Sequence, residues 1–473
     1  MKAEIYFGST CEARMAHKKV LSPYDGRVAS EVAICTAEDA QKALEIAKKS
    51  APLAKKAPLH QRVSWLLDVA EQLEKNKEDM AKTMTDEVGK PIRFSRGEVD
   101  RCIETVRLSA HAMMNLHGET FDTTATPSGK ETLAFYKREP VGVVLAITPF
   151  NFPLNLVAHK IAPALVAGNS VVLKPTGSAP LTAFKFAKMF IESPFATKDA
   201  LSVVYSGEGV NAALVQSKIP RIISFTGSVP VGNDITRHAG IKKLGLELGG
   251  NAATYIDKSA DIDMAAQKCA LGAFINSGQV CISLQRIYVN ESIYDAFASA
   301  LAKESKALKV GSPYDDETFI GPMINEGAVA KAKSWIQNAI DEGATLFYGE
   351  PCENLMFPPT IMSDVTEEMN IVCEEVFAPI VSLVKVKDFD EAKTKMNNSP
   401  YGLQHSIFSN DLSLAKRAID ELDAGGVVVN DIPTLRFDIQ PYGGIKESGI
   451  GKEGPKYALE EEYTQIKSVV ICS

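Results

Sequence analysis

The chain has 473 residues, a formal net charge of −8, 45% hydrophobic residues and 23% charged residues. That length exceeds one ordinary core and points to two or three domains of soluble, globular composition. The acidic balance argues against a nucleic-acid partner, which would need clustered Lys and Arg; the most apolar run, 141–150, is too short to span a bilayer and contains Pro149, so no membrane partner is expected either.

Three amphipathic helices are expected before residue 117. The first covers 38–49 after a Thr36 cap. The second, 60–77, carries Val63, Leu66, Leu67, Val69, Ala70 and Leu73 on one face. The third, 95–114, follows the break Gly89-Lys90-Pro91. Between polar flanks, the mixed run 132–136 reads as a strand with one exposed face.

From Val141 the pattern becomes strand, turn, helix, repeated. Strands are expected at 141–147, 170–173, 201–205 and 222–225, with helices at 156–166 and 181–191. Such alternation implies a doubly wound, mainly parallel sheet. Ligands of these sheets bind beyond the strand C-termini, where Asn151, Lys174 and Gly227-Ser228 fall. A second α/β unit begins near Asn251. It has a helix leading toward Cys281, a strand at 285–289, helices at 294–308 and 328–342, and a closing run at 425–430. The tail 465–471 reads as a final short strand. There is no internal repeat.

Three short segments carry chemistry. Pro149-Phe150-Asn151-Phe152-Pro153 holds a side-chain amide between two prolines. Leu246-Glu247-Leu248-Gly249-Gly250 sets an acid among leucines and glycines, as expected for a partly desolvated, tuned carboxylate. Gly278-Gln279-Val280-Cys281-Ile282-Ser283 presents a thiol. Nucleophile, base and amide donor are the three parts needed to form and then hydrolyse an acyl-cysteine. The eight cysteines (Cys11, Cys35, Cys102, Cys269, Cys281, Cys352, Cys373 and Cys472) form no C-x-x-C pair, and the seven histidines show no metal spacing. Reduced thiols, no metal site and an N-terminus without an apolar signal core give the expectation of a cytoplasmic protein.

These segments, with Leu173-Lys174-Pro175, Phe225-Thr226-Gly227-Ser228, Glu375-Val376-Phe377-Ala378-Pro379 and Pro441-Tyr442-Gly443-Gly444, resemble those of the NAD(P)-dependent aldehyde dehydrogenase superfamily, in family order from about residue 20 to the end. The resemblance implies a cofactor-binding domain over 1–118 and 140–248 and a catalytic domain over 249–454. Oligomerisation strands at 119–139 and 455–473 would assemble a homodimer or homotetramer. It implies that Cys281 attacks a small aldehyde and that the Asn151 amide and the Cys281 N–H hold the oxyanion. Hydride then leaves for NADP or NAD, and Glu247 activates the water that releases the acid.

Cofactor contacts are expected from Lys174, Thr176, Gly177, Gly227, Ser228, Gly232, Glu375 and Phe377. Family members preferring NAD often carry a Glu three residues after the lysine. Gly177 stands there, so NADP is expected to be accepted. The substrate pocket is expected to draw on Arg107, Phe152, His159, Val280, Ile282, Arg436 and Tyr442, which would suit a short polar aldehyde such as lactaldehyde, glyceraldehyde or a small semialdehyde. Phosphate-recognising relatives often have Arg where Val280 stands. Two alternatives stay open: acyl transfer to coenzyme A, whose family members tend to lack the glutamate at 247, and a cysteine hydrolase or esterase without redox chemistry.

Overall fold

Thr36 and Asp39 cap each other reciprocally, side chain to backbone, and so start the helix Ala37–Lys56 in the computed structural model, which describes residues 1–472. The helix runs past the expected stop at 49 and through Pro52. Leu59–Lys75 and Ile92–Met114 lie close to their expected places. An unforeseen helix, Lys77–Val88, separates them. Asn76 closes one helix and opens the next without a Gly or Pro to mark the joint, whereas Gly89 at φ 68° ends Lys77–Val88 where the break was read. The strands before residue 36 were also not foreseen; Ile5–Phe7, fully buried, pairs with Leu201–Val203.

The first sheet has eight strands. Val143–Ile147 lies at its centre, with Ser170–Lys174 and Leu201–Val203 to one side and Ile222–Thr226 and Lys243–Glu247 to the other, all parallel. Helices Asn155–Val166, Pro180–Glu192, Val210–Gln216 and Val229–His238 make the crossovers. The order reverses at Val143–Ile147, so the crevice beyond its C-terminus is the ligand-binding point of a doubly wound sheet. Gly449–Ile450 pairs onto the far edge, antiparallel to Lys243–Glu247.

The second sheet has seven strands in the order Thr345–Tyr348, Thr360–Ser363, Ile380–Val386, Leu284–Asn290, Ala252–Ile256, Gln404–Phe408, Gly426–Val429. All but the first run parallel. Several strands missed from sequence are here. Ala252–Ile256, Thr360–Ser363, Ile380–Val386 and Gln404–Phe408 are buried on both faces, so no polar alternation marks them. The chain passes from Glu247 to Ala252 directly, which sets the C-terminal edge of the first sheet against the N-terminal edge of the second. A third, antiparallel sheet joins Thr120–Asp122, Leu133–Pro140 and Thr464–Ile471. The architecture is thus the expected one: a doubly wound sheet, a second α/β unit and a small β unit.

Candidate active site

Between the two sheets lies a cavity of about 500 Å³ whose lining includes Asn151, Glu247 and Cys281. Asn151 lies just beyond the strand Val143–Ile147, Glu247 ends the strand Lys243–Glu247, and Cys281 arrives on a loop of unusual backbone. Cys281 follows three successive left-handed residues, Asn276 (φ 51°), Ser277 (φ 57°) and Gly278 (φ 68°), a conformation that costs a side-chain-bearing residue roughly 1–2 kcal/mol. Tertiary bonds hold it: Ser277 Oγ donates to the Gly321 carbonyl (2.8 Å), and Gln279 Oε1 accepts the Ile324 N–H (3.0 Å). A Cβ on Gly278 would lie 2.1 Å from the Ala378 carbonyl oxygen, so the thiol loop packs directly on the segment that carries Glu375 and Phe377. Asn276 Nδ2 donates to the Asn151 carbonyl (3.4 Å), tying the thiol loop to the amide loop. Asn151 Oδ1 accepts the Phe152 N–H (3.1 Å), which leaves the NH2 end of that amide for a ligand.

Burial pushes the Cys281 thiol up to about 11, against a hydrogen bond with the Tyr442 hydroxyl at 3.1 Å. Glu247 is buried, and its Oε2 has no hydrogen-bond partner among the described residues. Desolvation first, and the neighbouring Glu453 second, raise its pKa well above the usual carboxylate range. For Glu453, burial also opposes ionisation, but Lys160 and Arg436 outweigh it and keep that carboxylate charged. Lys160 Nζ lies 3.4 Å from Glu453 Oε1, and Arg436 Nη2 donates to Oε2 at 3.0 Å. Burial and Glu453 push one acid toward its neutral form while cations hold its neighbour ionised, a split that separates proton-transfer roles in enzyme sites.

On the other wall, Glu375 Oε1 accepts the Gly250 N–H (3.0 Å), and desolvation pushes its pKa up to about 7. Phe377 sits at φ 55° with its ring edge-on to Phe150. Gly227 and Ser228 line the cavity where the helix Val229–His238 begins; Ser228 makes no side-chain cap there. Gly232 allows that helix to approach Leu248, since a Cβ would meet the leucine at 2.5 Å. Lys174, Thr176 and Gly177 stand at the end of Ser170–Lys174, outside the cavity lining.

Phe152, Val280, Ile282, Arg436 and Tyr442 line the cavity, but two expected members do not. Arg107 pairs with Glu74 on the surface at 2.8 Å, 41% exposed. The guanidinium that enters the cavity is that of Arg101, which sequence reading missed. Six positions on a helix amount to a rotation of about 120°, enough to move from the inner face to the outer. His159 is buried behind the lining, its Nε2 3.1 Å from Asp438 and 3.3 Å from Arg436 Nη2. It stands on a helix buried on every side, so it supports the cavity wall without reaching its surface. Asp438 and Glu453, the counter-ions of the two arginines, left no sequence signal of their own.

Arg101 makes a bidentate pair with Asp438 (2.7 and 3.0 Å), and Arg436 Nε lies 3.6 Å from the same carboxylate. Hydrogen bonds from His159 and Arg101 keep Asp438 ionised although burial opposes it. Among the described residues no group of three or more His, Cys, Asp or Glu could hold a metal ion, and no helix is long and apolar enough to cross a membrane.

Two α/β sheets, with a thiol, an amide and a desolvated carboxyl around one cavity beyond a doubly wound sheet, define a class: a two-domain α/β enzyme with its site between the sheets. The chain belongs to the aldehyde dehydrogenase family, whose model matches residues 11–469, and is an oxidoreductase acting on aldehydes. A 3-sulfolactaldehyde dehydrogenase of Priestia aryabhattai is 41% identical, covering 97% of this chain and 95% of that one. Aldehyde dehydrogenase 21 from Physcomitrella patens, solved with the reaction product succinate, superposes with TM-score 0.96 at 36% identity over 99% and 98% of the chains. The NADP-dependent glyceraldehyde-3-phosphate dehydrogenase from Bacillus halodurans, complexed with NADP, does so with TM-score 0.96 at 34% identity over 100% and 99%.

Proposed function

We propose that this protein oxidises a short aldehyde bearing an anionic tail to its carboxylic acid, with NADP accepted as cofactor. The observation that carries the substrate class is the charge around the cavity. Arg101 and Arg436 both line it and share the one buried carboxylate Asp438, and Arg436 also reaches Glu453, which Lys160 backs. A carboxylate or sulfonate on the aldehyde would meet these two guanidiniums in the cavity wall. The relatives named for sulfolactaldehyde, and crystallised with succinate, act on or hold molecules of that kind.

Cys281 adds to the carbonyl carbon, and the alkoxide so formed is held by the Asn151 amide and the Cys281 N–H. Lys174, Thr176, Gly177, Gly227, Ser228, Gly232, Glu375 and Phe377 would hold a dinucleotide, which would serve as the hydride acceptor when bound. The glycines at 227 and 232 and the uncapped helix start suit a diphosphate. Glu247, in its ionised form, then takes a proton from the water that cleaves the thioester. The division into cofactor (1–118, 140–248) and catalytic (249–454) segments follows this allocation. Eight free cysteines suit a reducing, cytoplasmic setting. The strand Thr464–Ile471 leaves Ile466, Val470 and Ile471 exposed along a sheet edge, which supports assembly as a homodimer or homotetramer.

Near-ultraviolet absorbance of reduced cofactor tests the reading, with short aldehydes carrying carboxylate, sulfonate, hydroxyl or unmodified ends. Reduction with NADP, fastest for the anionic aldehydes, is the expected result; strict dependence on NAD, or on added coenzyme A, would revise it. Gly177→Glu is expected to shift kcat/KM toward NAD by roughly fivefold or more, as a carboxylate placed against the 2′-phosphate costs on the order of 1 kcal/mol or more. Arg101→Ala is expected to lower kcat/KM for the anionic aldehyde by roughly ten- to a hundredfold, the worth of a charged hydrogen bond, while leaving propanal nearly unaffected. Equal losses on both aldehydes would remove Arg101 from tail recognition.

A further inference from the structure

We propose that the Tyr442 hydroxyl is a catalytic hydrogen-bond donor to the Cys281 sulfur, held for that task by the Arg436 guanidinium stacked on its ring. The inference rests on the acyl-cysteine reading above and adds a residue to it. Tyr442 Oη lies 3.1 Å from Cys281 Sγ, and the Arg436 guanidinium carbon lies 3.8 Å from the Tyr442 ring centroid. Phenylalanine would fill the same buried space, so packing does not account for the hydroxyl.

The ring has little freedom to leave. Tyr442 and Glu453 exchange both backbone hydrogen bonds (3.0 and 2.6 Å), and Glu453 binds Arg436 in turn. Ring, guanidinium and carboxylate therefore form one fixed block facing the sulfur. Other ionisable groups that face the sulfur are Glu375, Arg436 and Glu247. Both carboxyl groups disfavour a thiolate, and so does the burial of the sulfur itself. Tyr442 is the side chain in hydrogen-bonding contact with the sulfur among the described residues. A cation over the ring draws charge from the phenol and strengthens its O–H as a donor. The hydroxyl thus offsets part of the cost of forming the reactive thiolate in a dry cavity. Burial also keeps the phenol protonated, and so able to donate, above the usual tyrosine range.

The test is Tyr442→Phe, which keeps the ring. Iodoacetamide alkylation of the Cys281 peptide is followed by mass spectrometry against pH, with neither aldehyde nor cofactor present. The midpoint is expected to rise by about one unit, which slows alkylation at neutral pH about tenfold, with kcat/KM falling alongside and the KM for NADP unchanged. A folded Tyr442→Phe protein with an unmoved midpoint would overturn the proposal. Should that variant fail to fold, 3,5-difluorotyrosine placed at 442 makes a stronger donor and is expected to move the midpoint down; no movement there counts equally against it. Failure of the dehydrogenase reading would register separately, as no cofactor reduction by the unaltered protein.

Discussion

Cys281→Ala is expected to abolish aldehyde oxidation, with kcat falling by roughly 10⁴-fold or more, as removal of a covalent nucleophile does elsewhere. The loop that carries Cys281 is built for presentation rather than packing. Asn276, Ser277 and Gly278 hold left-handed backbone that simple burial of a thiol would not require, and bonds to Gly321, Ile324 and Asn151 fix it. Removing one sulfur atom leaves those bonds in place, so the thermal midpoint should move little. Cys102 and Cys269 are also free and buried, but neither lines the cavity. Because burial pushes the Cys281 thiol up to about 11, the resting group is the thiol, and attack by the unaltered enzyme should quicken as pH rises. The check is steady-state cofactor reduction together with a melting curve. Full activity in Cys281→Ala would dismiss the thiol from the reaction.

Much of this site could be read from the chain because loops that bring functional groups to a sheet edge need special backbone. Pro149 and Pro153 bracket Asn151, Gly249 and Gly250 follow Glu247, and Gly278 precedes Cys281; punctuation of that kind survives in sequence. Three long helices with one apolar face, Ala37–Lys56, Leu59–Lys75 and Ile92–Met114, were equally plain, whereas Lys77–Val88, with no Gly or Pro before it, was not. What stayed hidden depends on neighbours distant in the chain. Arg101 and Arg107 share a helix, and only the packing of Ile92–Met114 against Asn155–Val166 decides which one turns inward. Asp438, Glu453 and Lys160 carry no local mark of a site; the fold brings them together and buries them. The strands Ala252–Ile256 and Gln404–Phe408 lack alternation because both their faces are covered. Local conformation is written locally; the electrostatic partners of a site are not.

Glu247→Gln is expected to divide the reaction in two. The amide has nearly the shape of the carboxyl but cannot accept the proton of an attacking water, so acylation of Cys281 should persist while release of the acid falls by roughly 10²- to 10⁴-fold, the usual worth of a general base. Rapid-mixing measurement should then show a burst of about one reduced cofactor per active site followed by near silence, with the acyl group detectable on the Cys281 peptide by mass spectrometry. The pH dependence has a definite sign. Desolvation and the charge of Glu453 raise the Glu247 pKa, so its basic form gains population as pH rises through that raised value, and turnover limited by thioester hydrolysis should climb with it. In Glu247→Gln that rising limb should vanish. Loss of the burst as well would move Glu247 to an earlier step, where it would take the thiol proton of Cys281 before carbon–sulfur bond formation.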